Sequence, residues 1–201
     1  MIIRRETPGD ASAVRAVTAA AFAAQAAASG MPEGREPIEV TLIDRLRADP
    51  GWVPELSLVA VSDDDADAAR GQGPVIGHVV CSRGRVGATE ALGLGPVSVA
   101  PEHQGRGVGS ALMHAVLGAA DALGAPFVAL LGEPAFYRRF GFRPASHRGI
   151  AAPDPAWGDY FQVRTLTAYD PAAARGAFAY AAPFDRLDEP PENAGAAAER
   201  G

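Results

Sequence analysis

Val97-Ser98-Val99-Ala100-Pro101-Glu102-His103-Gln104-Gly105-Arg106-Gly107-Val108-Gly109 is a strand end, a proline and a glycine-rich turn that opens directly into an amphipathic helix. Such a junction is an anion site. The first N–H groups of a helix have no internal acceptors, and the helix dipole places partial positive charge there. Glycines let the backbone come close to a phosphate and adopt positive φ. Arg106 adds a charged contact at the mouth. The familiar nucleotide loops do not fit. A triphosphate loop needs Gly-Lys-Ser/Thr, and this segment has no lysine. The dinucleotide spacing would need a third glycine where Ser110 stands, and a strand with a ribose-binding acid where residues 110–123 continue as helix.

Working outward, residues 92–99 read as a strand, yet they contain Gly93, Gly95 and Pro96. Glycine weakens a central strand and proline removes a ladder hydrogen bond, so this strand is expected to be bulged or splayed. After the turn, Val108, Leu112, Ala115, Val116, Ala119 and Leu123 form a helical stripe that Gly124 and Pro126 end. Phe127-Val128-Ala129-Leu130-Leu131 is an all-apolar run, the pattern of a strand covered on both faces. A short helix over 134–140 and an alternating final strand over 161–166 follow.

Upstream, residues 2–6 read as an opening strand, and Thr7 or Asp10 supplies the N-cap of a helix over about 10–27. Ser29-Gly30 to Gly34 breaks that helix; a second, over about 36–48, carries the stripe Ile38, Leu42, Ile43, Leu46. Strands over 56–61 and 75–81 flank an acidic, glycine-bearing hairpin loop at 62–73. The order βααβββαβαβ predicts one mixed α+β domain over residues 1–184. The tail, 185–201, is rich in Pro, Glu, Ala and Gly and is expected to be disordered.

The 201 residues are 48% apolar and 21% charged, the balance of a soluble globular chain. A net charge of -6 without a Lys/Arg run argues against nucleic acid, whose binding depends on neutralising phosphates, and suits a cationic partner such as an amine. Cys81 is the single cysteine, which fits a reducing compartment. With no signal-like start and no apolar window near the ~20 residues of a membrane span, the expectation is a cytoplasmic protein that meets no membrane.

The turn resembles the signature of the GNAT (GCN5-related N-acetyltransferase) superfamily, Gln/Arg-x-x-Gly-x-Gly/Ala after a Val-x-Pro strand end. Gln104, Gly107 and Gly109 stand at its positions, with Val99 and Pro101 upstream. Phe136-Tyr137 followed by Gly141-Phe142 is similar to the second family motif, Phe-Tyr-x-x-x-Gly-Phe. The resemblance spans Ile2 to about Leu166, and Phe161-Gln162-Val163-Arg164 with Gly176 and Phe184 resembles a bacterial branch of acetyltransferases.

The resemblance implies the GNAT acyl-CoA N-acyltransferase fold, a mixed central sheet splayed at the cofactor site with flanking helices. It implies acetyl-CoA as cosubstrate, its pyrophosphate on Gln104, Gly105, Arg106, Gly107, Val108, Gly109 and Ser110 and its pantetheine arm along Val97, Ser98 and Val99. It makes Tyr137 the general acid at the sulfur and the Val99 N–H the group that polarises the thioester oxygen. Many relatives carry a basic glutamate in the strand before the turn. This strand offers Gly93, Leu94, Gly95 and Pro96 there, which leaves Glu90 as the nearest candidate.

The implied activity is acetyl transfer to a primary amine of a small molecule, peptide or protein. The alternative is a non-catalytic acyl-CoA-binding sensor or partner-binding module, kept open by the missing strand glutamate. An acetyltransferase toxin acting on aminoacyl-tRNA is a third reading, opposed by the acidic charge. A homodimer is compatible with the superfamily.

Glu33 and Glu36 lie near the inter-helix loop, either at the acceptor or in solvent, and Glu133 shapes a strand end. His103 faces solvent or a CoA phosphate, His78 is structural, His114 lies on the exposed side of its helix and His147 in a loop. No pair has metal-ligand spacing, so no metal is expected. Cys81 reads as a buried small hydrophobe. Trp157 and Tyr160 either wall the acceptor pocket or anchor a loop.

Overall fold

The computed structural model describes residues 1–32, 34–63 and 73–186. Glu33, most of the acidic hairpin loop and all but the first two residues of the tail lie outside the described residues.

The chain opens with β1 (Ile2–Arg5), α1 (Ala11–Ala28) and α2 (Ile38–Arg47), then the meander β2 (Trp52–Val61), β3 (Val75–Val86) and β4 (Thr89–Val99). It continues with α3 (Val108–Ala122), β5 (Phe127–Leu131), the short α4 (Pro134–Tyr137), β6 (Arg143–Pro144), β7 (Ile150–Ala151), β8 (Phe161–Thr165) and β9 (Gly176–Ala179). The sheet order is β1-β2-β3-β4-β5-β8-β6, antiparallel throughout except at β4–β5, and β9 adds to β3 through Arg85↔Ala179 and Val86↔Phe178. The predicted α+β class holds.

The start of α1 is fixed by Asp10, which accepts hydrogen bonds from the Thr7 N–H (2.8 Å) and hydroxyl (2.7 Å) and from both terminal nitrogens of Arg4 (2.7 and 2.8 Å). The Arg4 hydrogen bond holds the Asp10 carboxyl well below the usual carboxylate range. This ties β1 to the helix that follows it.

Side-chain alternation sorts the sheet into two faces. Leu58, Ala60, Val79, Cys81, Leu92, Leu94, Val128 and Leu130 pack beneath α3 through Leu112, Met113, Val116 and Leu117. On the other face, Val59 and Val61 meet Val14 and Ile43, and Val80 meets Leu42 and Leu46. Further along that face Phe127, Phe161 and Phe178 form an aromatic cluster that packs with Ala129.

The expected distortion is at β4. The β3–β4 register runs Val79↔Val97 and then Cys81↔Leu94, so β4 carries an extra residue there, around the cis Gly95–Pro96 bond and Gly95 at φ +144°. β4 is joined to β5 only at Leu92↔Val128 and Gly93↔Ala129. Beyond that point β4 stays with β3 as far as Val99, while β5 stays with β8 along all five residues. The two strands part like the arms of a V, with its vertex at Gly93.

The strands are longer than the sequence reading. β2 starts at Trp52 rather than 56, and β3 runs to Val86 rather than 81, where Gly87 (φ +57°) turns it into β4. The cue lay in the alternation of exposed Arg83 and Arg85 with buried Ser82, Gly84 and Val86. β6, β7 and β9 were not anticipated, being two to four residues long.

Candidate active site

The open arm of the V and the N-terminus of α3 share one cleft of about 1320 Å³. After Val99 the chain makes a 3-10 turn (Pro101–His103), then passes through Gly105 (φ +72°) and Gly107 (φ +86°) into α3. The first bond of the helix is Ala111 N–H to the Gly107 carbonyl, 3.0 Å. Val108, Gly109 and Ser110 therefore present N–H groups without intrahelical acceptors, and Gly107 offers no side-chain cap. The Gln104 amide donates to the Val99 carbonyl (3.0 Å) and clamps the turn to the strand.

The register decides which backbone groups face the opening. Ala100 N–H bonds the Ile76 carbonyl of the β3 side (3.0 Å). By alternation Ser98 also turns its backbone toward β3, so Val97 and Val99 turn theirs toward the open arm. Val97, Val99, Gln104, Gly105, Gly107, Val108, Gly109 and Ser110 line the cleft. Ser98 and Arg106 do not. The Ser98 hydroxyl is buried against Thr18 (3.0 Å), and Arg106 is exposed on the outside of the turn.

Tyr137, the last residue of α4, sits at the end of β5. Its ring lies so close over Gly132 that a Cβ there would come within 2.3 Å of Cε2. Phe136 (4.9 Å) and Phe142 (5.8 Å) hold it edge-on. Burial raises the phenol pKa, and among the described residues its hydroxyl has no hydrogen-bond partner.

Glu90 is not brought to this cleft. Its side chain is 82% exposed at the far end of β4, 3.6 Å from Arg83. Glu36 is also turned away, paired with Arg15. The carboxylates that do line the cleft are Glu39, Glu133, Asp154 and Asp185. Two of them act as helix caps: Glu133 accepts from Ala135 N–H (3.3 Å) and Asp154 from Ala156 N–H (2.8 Å). Asp185 is exposed. Glu39, in the first turn of α2, is half-buried, and burial raises its carboxyl pKa. The sequence reading missed it because it lies on a helix that looked purely structural.

Trp157 lines the cleft, whereas Tyr160 is exposed outside it. His103 also lines it. His114 is exposed, edge-on to Phe140 at 5.2 Å, and His147 lies in the 3-10 turn Ala145–Arg148. His78 is fully buried, with Nε2 2.9 Å from the Ser57 hydroxyl and 3.3 Å from Glu6. Burial lowers its pKa. Burial would raise Glu6, but hydrogen bonds from His78 and Ser57 and the nearby Arg47 charge bring it down to about 2. That network joins the residue after β1 to β2, β3 and α2, and none of its members lines the cleft. Cys81 is fully buried, and burial pushes its thiol up. Among the described residues no three His, Cys, Asp or Glu are placed to hold a metal, and no helix is long and apolar enough to cross a membrane.

A sheet parted beside a glycine-rich helix N-terminus, with a phenol at the parting, is the geometry that the two sequence motifs imply together. Residues 56–144 match the family model described as an acetyltransferase (GNAT) domain. The chain is 32% identical over 168 residues to YhbS of Escherichia coli K12, described as an uncharacterized N-acetyltransferase, covering 83% of this chain and 87% of that protein. Among solved structures it is similar to Escherichia coli YhbS in complex with CoA, with a TM-score of 0.76, 29% identity and 92% of each chain covered. A GNAT family acetyltransferase from Brucella melitensis in complex with acetyl-CoA matches at a TM-score of 0.67 and 35% identity, over 92% of this chain and 97% of that one. The chain belongs to the GNAT family of acetyltransferases.

Proposed function

We propose that this protein transfers the acetyl group of acetyl-CoA to a primary amine of a small molecule or peptide. The observation that carries this reading is the single cleft joining the uncapped N-terminus of α3, the open edge at Val97 and Val99, and Tyr137. The residues fit the cosubstrate. The N–H groups of Val108, Gly109 and Ser110 suit a pyrophosphate. The unpaired edge of β4 suits the amides of a pantetheine arm, which supply the partners that a strand would otherwise supply. CoA-bound YhbS and the acetyl-CoA-bound Brucella protein support the same ligand.

In the reaction the amine nitrogen bonds to the thioester carbon and the carbon–sulfur bond breaks. Val97 faces the open edge two residues nearer the vertex than Val99, and so nearer the reacting end of an arm that enters from the turn. Its N–H takes the role of polarising the thioester oxygen, and Val99 binds the arm. A phenol is protonated at neutral pH, and burial raises the Tyr137 pKa further. A thiol titrates near 8.5, so this phenol stabilises the departing thiolate chiefly as a hydrogen-bond donor. Glu39 accepts the proton that the amine must lose, the role that Glu90 is too remote to fill.

Thermal unfolding tests the cosubstrate. A ligand at 100 times its Kd adds about 2.7 kcal/mol to the native state. At about 2–4 °C per kcal/mol for this size, acetyl-CoA is expected to raise Tm by several degrees and ATP and NAD to leave it unchanged. No rise with millimolar acetyl-CoA sinks the reading.

The turn makes its own prediction. Gly107 caps α3 at φ +86° with open space on its Cβ side. A β-branched residue there is strained by about 1–2 kcal/mol and turns its side chain toward the approaching phosphates. Gly107→Val is expected to weaken acetyl-CoA binding, read by calorimetry, at least about tenfold. Unchanged affinity would move the pyrophosphate away from the turn.

A further inference from the structure

Tyr180 lines the cleft and has no role in the reaction above. It follows β9 and lines the cleft on the face opposite α3. Its ring lies against β4 at Gly93, where a Cβ would come within 2.5 Å of Cδ1 and 2.7 Å of Cε1. Gly93 is also the last β4 residue paired with β5, so the ring covers the vertex of the V. Phe184 (4.5 Å), Phe178 (4.7 Å), Phe161 (6.3 Å) and Trp157 (6.4 Å) surround it. Tyr137 is seated in the same manner on Gly132, just past β5. The two phenols are near enough that Tyr137 adds to the upward pKa shift which burial imposes on Tyr180. Among the described residues the Tyr180 hydroxyl has no hydrogen-bond partner.

We propose that Tyr180 sets the acyl-chain length: its ring, seated on Gly93 at the vertex of the V, walls the cleft just beyond the reacting carbonyl. This rests on the acyl-CoA reading above. An arm that enters from the turn and runs along Val99 and Val97 delivers its thioester toward the vertex, and an acetyl methyl ends against this wall. A longer acyl chain meets a ring packed among four aromatic neighbours, and overpacking of this kind is costly. Gly93 is required for the same reason, since any larger residue would drive the ring into the space left for the acyl group.

The test is calorimetric binding of CoA, acetyl-CoA and hexanoyl-CoA to the full chain and to Tyr180→Ala and Tyr180→Leu, with folding checked by circular dichroism. The wild-type chain is expected to bind hexanoyl-CoA at least about tenfold more weakly than acetyl-CoA. Both variants are expected to lose most of that difference, while CoA itself binds alike to all three proteins. If Tyr180→Ala does not fold, Tyr180→Leu carries the comparison. Equal binding of acetyl-CoA and hexanoyl-CoA by the wild type overturns the proposal, as does discrimination that survives in the folded variants. Failure of the wild type to bind CoA or acetyl-CoA would instead overturn the cosubstrate reading.

Discussion

Replacing Tyr137 with phenylalanine is expected to lower kcat about 10²-fold and to leave the affinity for acetyl-CoA within a factor of about two, because the variant loses one donor to a developing charge and keeps the packing. The ring rests on Gly132 and against Phe136 and Phe142, contacts that phenylalanine preserves. The hydroxyl has no partner among the described residues, so its removal orphans no hydrogen bond in the free protein. Stability should therefore change little, which separates this variant from one that merely unfolds. The measurement is initial-rate release of CoA with the best acceptor from an amine screen, beside calorimetric acetyl-CoA binding. A parallel loss of kcat and affinity would make Tyr137 a binding residue. An unchanged kcat would remove it from the chemistry and favour the reading of a module that binds acyl-CoA without turning it over.

The part of the candidate cleft proposed here for the cosubstrate was legible in the sequence, and the part proposed for the acceptor was not. The reason is distance along the chain. Residues 97–110 place a strand, a turn and a helix N-terminus in one uninterrupted stretch, so the motif and its chemistry can be read together. The distortion of β4 was also readable, because Gly93, Gly95 and Pro96 are poor strand residues, though only the structure separates their roles. Gly95 and Pro96 lie at the bulge, whereas Gly93 makes room for a ring that arrives from Tyr180, far along the chain. Gly84, whose Cβ would meet Phe178 at 2.5 Å, follows the same logic. A glycine tells a reader that something comes close, and it does not say what. The missing partners lie in the four-residue β9 and just after it, a stretch too short for a periodicity to stand out, although Phe178 and Tyr180 do alternate. The alternation that would have extended β3 past Cys81 was present as well, in Ser82-Arg83-Gly84-Arg85-Val86, and the two arginines masked it. Ser98 shows the opposite error. The motif counted it with the cofactor strand, but in a strand every second residue turns its backbone to the other neighbour, and Ser98 belongs to the β3 side.

The base is where the missing strand glutamate matters most, and Glu39→Gln is expected to lower kcat about 10²-fold, within the range for loss of a general base. Four carboxylates line the cleft, and a base must be both free and poised. Capping engages Glu133 and Asp154, and Asp185 lies exposed. Glu39 is half-buried and forms no ion pair among the described residues. Burial raises its pKa, against a smaller lowering by its own backbone N–H, and so brings its basicity closer to the working pH. The base form is the carboxylate. Activity is therefore expected to fall as pH drops through the raised folded-state pKa, and this acid limb should disappear in Glu39→Gln. Stability has the opposite sign. A carboxyl whose pKa is raised on folding stabilises the native state while protonated and loses that contribution as pH climbs from the unfolded to the folded pKa. At neutral pH the glutamine variant should thus unfold at the same temperature as the parent or slightly above it, while its turnover collapses. Rates and melting curves from pH 5 to 9 read both effects on one preparation. An acid limb that persists in Glu39→Gln would pass the proton to an ordered water or to another carboxylate of the cleft. A loss of kcat accompanied by a matching fall in Tm would assign Glu39 to the fold instead.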